Sequence, residues 1–155
     1  MTLKSKNLIT SLFAGVLSLV GYLIYALSSV APESSNLQSW AILIIVALGI
    51  AIGLQVIVHI IFYIVAHIGI AAKTGDPKAA ERTMKAEMKD DERGKQIDLK
   101  TRYIGYLFFG LGFVSALVAL AFGAIPLLAL HLVLGSCFIG GFVEGVISIY
   151  YNERK

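Results

Sequence analysis

Gln55, His59, Tyr63 and His67 recur at four-residue steps inside an otherwise apolar run. On a helix that step drifts by about 40°, so the four make one slanted polar stripe. Polar groups inside apolar spans are costly and mark candidate sites for proton or ligand handling. Ser136, Gly140, Glu144 and Ser148 repeat the spacing further on, and Glu144 is the one acid within any long apolar run. Nineteen residues separate Trp40 from His59, and eighteen separate Pro126 from Glu144. The imidazole and the carboxylate therefore fall at similar depth, where contact would favour the charged form of both. Tyr63 and Tyr106 lie at heights that would complete a hydrogen-bonded cluster. The competing reading is structural, with Glu144 snorkelling to an interface about 10 Å away or capping a neighbouring helix.

Other chemistries fit less well. His59 and His67 share a helix about 12 Å apart, so they cannot serve two faces of one haem. His131 falls at another depth, near the outer surface, where water or a tyrosine such as Tyr25 would satisfy it. No two ligands have the close spacing of a helix-borne metal site. Neither a metal nor another cofactor is expected. Gly-rich phosphate loops, His-Glu-x-x-His, Gly-x-Ser-x-Gly and paired carboxylates are all absent, so no enzyme activity is expected. Cys137 stands alone and reads as a small packing residue.

These side chains require membrane-spanning helices to position them. The chain has 155 residues, 57% hydrophobic and 15% charged, and its mean hydropathy is +0.81. Soluble domains carry about 25% charged residues. Apolar stretches occupy 8–31, 40–72, 103–122 and 125–151. Each exceeds or meets the roughly 20 residues a helix needs to cross the hydrocarbon. Lipid offers the backbone no hydrogen-bond partner, so the spans must be helices, and the alternation of a barrel strand is missing. The expected fold is all-α integral membrane: a four-transmembrane-helix bundle of two antiparallel hairpins, because both outer connections are short.

Charge sets the orientation. Lys4 and Lys6 precede the first span, Arg154 and Lys155 follow the fourth, and the other nine cations lie between spans two and three. The remaining connections carry none. By the positive-inside rule both termini and the segment 73–102 are cytoplasmic. Lys4 and Lys6 lead into apolar sequence as a signal peptide would, yet the apolar core is too long and Pro32 follows Ser29-Val30-Ala31. The first span is read as retained.

The second span runs about 50 Å as a helix against a core of about 30 Å, so its inner end should project and need covering. The central segment is the nearest cover. Asp76-Pro77 signals a helix start, with Ala80, Met84 and Met88 on one face and a Glu81–Lys85 pair one turn apart. Gly94 interrupts, and Ile97 to Lys100 should run on into the third span. With nine bases and seven acids the segment is nearly balanced, which argues against nucleic acid. It is either a solvated helix resting on the bundle or a docking surface for a soluble partner.

Small residues supply candidate packing faces. They are Gly49 and Gly53 in the second span, Cys137, Gly141 and Gly145 in the fourth, and Gly105, Gly112, Ala116 and Ala119 in the third. They can serve the bundle or an oligomer. A faint parallel repeat matches Ile9, Leu12, Phe13 and Gly15 with Ile104, Leu107, Phe108 and Gly110.

The stretch Asp91-Glu92-Arg93-x-x-x-Ile97-x-x-Lys100-x-Arg102-x-x-x-Tyr106 resembles an element before the third helix of small four-helix bacterial inner-membrane proteins of uncharacterised function. Those proteins often carry a further acid where this chain has Gly94. The resemblance implies the fold and a bacterial inner-membrane address, and no activity. Physically, acids at a helix start and bases a turn or two later suit a helix lying along a membrane surface. Asp91 or Glu92 could then pair with a base on another cytoplasmic end, making Asp91, Glu92, Arg93, Lys100 and Arg102 candidate contact residues. The leading expectation is a non-enzymatic accessory, regulatory or immunity-type subunit. Its partners would be the lipid bilayer, a second copy or another membrane protein, and a soluble cytoplasmic protein. The alternative is an oligomeric transporter or proton-coupled channel using the His/Glu cluster.

Overall fold

A computed structural model describes residues 2–88 and 92–154, without the side chains of Pro77, Ala80, Glu87 and Met88. The described residues form five helices and no strand: α1 Leu3–Ala26, α2 Leu37–Thr74, α3 Pro77–Met88, α4 Glu92–Ala121 and α5 Pro126–Glu153. α1, α2, α4 and α5 are long and apolar enough to cross a membrane.

Local chemistry sets the helix ends. The Thr2 hydroxyl caps α1 by accepting from the Ser5 N–H at 3.1 Å. α1 stops at Ala26, five residues before the expected end at 31, because Ser28 turns back on the Tyr25 carbonyl through both its N–H and its hydroxyl. That local bond competes with further helix. Asn36 caps α2 by accepting from the Ser39 N–H, and α2 ends in Gly75 at φ 70°, a left-handed conformation that favours glycine. Asp76 accepts from the Lys78 N–H at 2.9 Å, as its spacing suggests, and Lys85 reaches Glu81 at 2.6 Å. α4 begins eleven residues before 103. Gly94 is buried within its first turn and does not interrupt it. Ala80, Met88, Asp91 and Lys155 enter the sequence argument but lie outside the described residues or side chains.

α4 and α5 make the most extensive contact in the molecule. A Cβ on Gly112 would stand 2.0 Å from the Ser136 Cβ, one on Gly140 2.7 Å from the Gly105 carbonyl, and one on Gly105 2.7 Å from a Glu144 carboxylate oxygen. The row Ser136, Gly140, Glu144, Ser148 is thus the seam with α4, and only small residues let the two backbones meet this closely. Gly105, Gly112 and Ala116 answer it from α4, where Ala116 is 4% exposed. α1 lies against α5 through Leu12, which fills the space over Gly145, and α2 lies against α1.

Most of the other packing candidates point elsewhere. A Cβ on Gly49, Gly53 or Gly141 meets nothing within 4 Å, and Cys137 is exposed. Gly53 stands about 200° round the helix from Gln55, which faces α1, and Cys137 and Gly141 stand about 100° round from the seam. The faint repeat also fails in three dimensions. Phe13 is 70% exposed where Phe108 is half-buried, and Leu12 packs on α5 where Leu107 is exposed.

The two ends of the bundle differ. At the end bearing Trp40, the His131 ring lies 5.1 Å from the Trp40 ring, and Tyr22, not Tyr25, bonds His131 at 3.0 Å. Tyr25, nearer the end of α1, is 41% exposed. His131 Nδ1 donates to the Leu127 carbonyl, so Nε2 accepts from the Tyr22 hydroxyl. At the charged end, Lys4 binds Asp98 at 3.1 Å, the Thr2 N–H donates to Glu153, and Arg93 donates to the Arg154 carbonyl. α1, α4 and α5 are tied there. α2 is not.

Candidate functional site

The polar stripe of α2 is divided between two neighbours. Gln55 donates to the Ser11 hydroxyl, and His59 Nδ1 donates to Asn7 Oδ1 at 2.9 Å. The second Gln55 N–H faces His59 Nε2 at 3.5 Å. Both imidazole nitrogens are therefore engaged in a clasp between α1 and α2, which satisfies groups that would be costly in an apolar setting. This is a correction to the His59–Glu144 contact: Asn7 of α1 and Gln55 of α2 are the histidine's partners. Asn7 and Ser11 were not singled out in the sequence, although their own four-residue spacing carried the signal.

Pairing of Asn7 with His59 and of Ser11 with Gln55 fixes the register, placing Leu3 opposite Tyr63. Residues 64–74 of α2 extend past the start of α1 by about 16 Å. Tyr63 is 45% exposed, and His67 stands near enough to Glu81 of α3 to favour its charged form. α3 folds back against α2 and the start of α1, with Met84 only 1% exposed. A groove of about 520 Å³ lies between the start of α1 and the inner part of α2, lined by Leu3, Lys6, Phe62, Val65, Ala66, Gly69, Ile70 and Lys73.

Tyr106 leaves the cluster altogether. It is 68% exposed, because it follows Gly105 by about 100° and Gly105 faces α5. Glu144 and Ser148 lie on the wall of a larger cleft of about 670 Å³. α1 supplies Lys4, Leu8, Ser11, Leu12, Val16 and Leu19, α5 supplies Phe138 and Phe142, and α4 supplies Asp98, Thr101 and Arg102 at its charged end. Gln55 reaches the same cleft from α2, so Gln55 and Glu144 share a cavity while His59 does not line it. Ser148 is buried and accepts from Asn152. Glu144 has no hydrogen bond or ion pair among the described residues.

The candidate contact residues near the start of α4 also divide. Arg93 reaches the end of α5, Arg102 lines the cleft, and Glu92 and Lys100 are exposed. Asp91 is outside the described residues. The acid that pairs with another helix end is Asp98, one helical turn before Arg102. No family model, curated protein or solved structure matches the chain.

Proposed function

We propose that this chain is a non-enzymatic accessory or regulatory subunit of the bacterial inner membrane that binds a second membrane protein or another copy of itself. Both termini and α3 face the cytoplasm, and the four spans form two antiparallel hairpins. The positive-inside distribution of Lys and Arg supports that orientation. The observation that carries the function is the inner end of α2. It outruns α1 by about three turns, and α3 covers one side of it. Val65 and Ile68 are 63% and 61% exposed there. Lys4 and Lys6 mark the headgroup level, so these apolar side chains stand where lipid tails do not reach. The groove between Lys6 and Lys73 fits an apolar helix that carries an acidic group.

A photo-activated cross-linker at Val65 tests this in cells. A single protein adduct of fixed mass, lost in Ala66→Arg and Gly69→Arg variants, is the expected result. Adducts with lipid alone would overturn the reading.

The cleft favours a second reading, an oligomeric transporter. It brings Glu144 of α5 and Gln55 of α2 to one cavity and leaves His59 outside. Proteoliposome flux unchanged in Glu144→Gln would remove it.

A further inference from the structure

The 670 Å³ cleft between α1, α4 and α5 falls within the range of small-molecule sites, about 300–1,000 Å³. It runs from Lys4 at the charged end to Leu19, about 22 Å along α1. Its upper walls are apolar, and its lower end carries charge. The Lys4–Asp98 pair is mutually compensated at the mouth. Glu144 is not: it lines the cleft without a hydrogen bond or ion pair among the described residues. A carboxylate in an apolar wall is costly without a compensating charge, and a bound cation supplies one.

We infer that this cleft binds a lipophilic amine, an elongated apolar molecule ending in one cationic nitrogen, with the cation against Glu144. The tail would lie along Leu12, Val16 and Leu19. Phe138 and Phe142 line the same cleft, and aromatic rings attract organic cations. The order of charges along the cleft decides against a phospholipid. The Gly105–Glu144 and Gly112–Ser136 contacts place Arg102 about one turn nearer the mouth than Glu144. A phospholipid inserted by its tails brings its phosphate to the deeper position, against the carboxylate. A simple amine brings its only charge there. The inference concerns binding alone and stands independently of the α2 docking groove and of any transport.

The test uses the full chain in neutral detergent with radiolabelled tetraphenylphosphonium as probe, and dodecylamine, dodecanol and dodecanoate as competitors. Saturable binding at one site per chain is expected, displaced by dodecylamine and not by dodecanol or dodecanoate. Glu144→Gln should weaken it by at least about tenfold, while Glu144→Asp retains part of it. Val16→Trp fills the cleft without touching the charge and should also abolish binding, with the melting temperature of each variant showing that it is folded. Equal affinity in Glu144→Gln or Val16→Trp would overturn the inference, as would equal displacement by dodecanoate.

Discussion

The α4–α5 seam and the α1–α2 clasp solve one problem by different means. Apolar helices gain nothing from hydrophobic contact in lipid, so they associate by close packing or by hydrogen bonds. α4 and α5 use close packing. Glycine and serine at Gly105, Gly112, Ser136 and Gly140 bring the backbones together. α1 and α2 stay further apart and use Asn7, Ser11, Gln55 and His59. The first contact depends on what the residues lack, and the second on what they carry. A seam without side chains tolerates no added atom, whereas a clasp tolerates volume but not the loss of a donor.

The largest effect should come from the seam. Gly112→Ala places a Cβ on top of the Ser136 Cβ and should cost about 2–3 kcal/mol in a detergent unfolding titration. Gly49→Ala, the same chemical change on the open face of α2, should fall within about 0.5 kcal/mol of the parent. Equal losses at the two positions would erase the distinction drawn between them.

An intermediate effect belongs to the clasp. Asn7→Ala and His59→Ala in a double-mutant cycle should show a coupling of about 0.6–1.7 kcal/mol. Glu144→Gln combined with His59→Ala should be additive, because His59 bonds α1. Coupling between those two would restore the pair that the spacing suggested.

The smallest effect concerns α3, held partly by an exposed ion pair. Glu81 is lowered from its usual 4.5 by the Lys85 hydrogen bond and charge, with the nearby His67 adding to it, and Lys85 is raised from 10.5 by the same pair. The support is therefore full between pH 4.5 and 10.5. It fades as acid protonates Glu81 below its lowered value, or as base deprotonates Lys85 above its raised one. The protection of α3 amides, measured relative to the intrinsic exchange rate at each pH, should fall slightly from pH 6 to pH 3, by about a factor of two or less, and Lys85→Gln should remove that dependence.

Much of this architecture was legible along the chain. The four apolar runs, the Asp76 cap, the Glu81–Lys85 pair and the overlong second helix all follow from spacing and length. Gly105, Gly112 and Ala116 were recognisable as a packing row. Gly49, Gly53 and Gly141 had the same pattern, yet a Cβ there meets nothing within 4 Å among the described residues, and Cys137 is exposed. Tyr106 and Glu144 had compatible heights and ended on different faces. The common cause is rotational: height follows from counting residues, but facing requires knowing the helix's rotation about its axis. A soluble helix shows that rotation through its apolar stripe. In α2, α4 and α5 nearly every face is apolar, so the sequence gives little sign of which one turns inward.

Hydropathy and charge alone determined the number of spans, their approximate limits and the concentration of Lys and Arg at one end, because bilayer thickness acts on length and composition. Tertiary structure decided which polar groups meet. It gave His59 to Asn7, Tyr22 to His131 and Asp98 to Lys4, and left Glu144 on a cleft wall. Those outcomes depend on rotations of about 100° per residue, and a hydropathy profile does not record them.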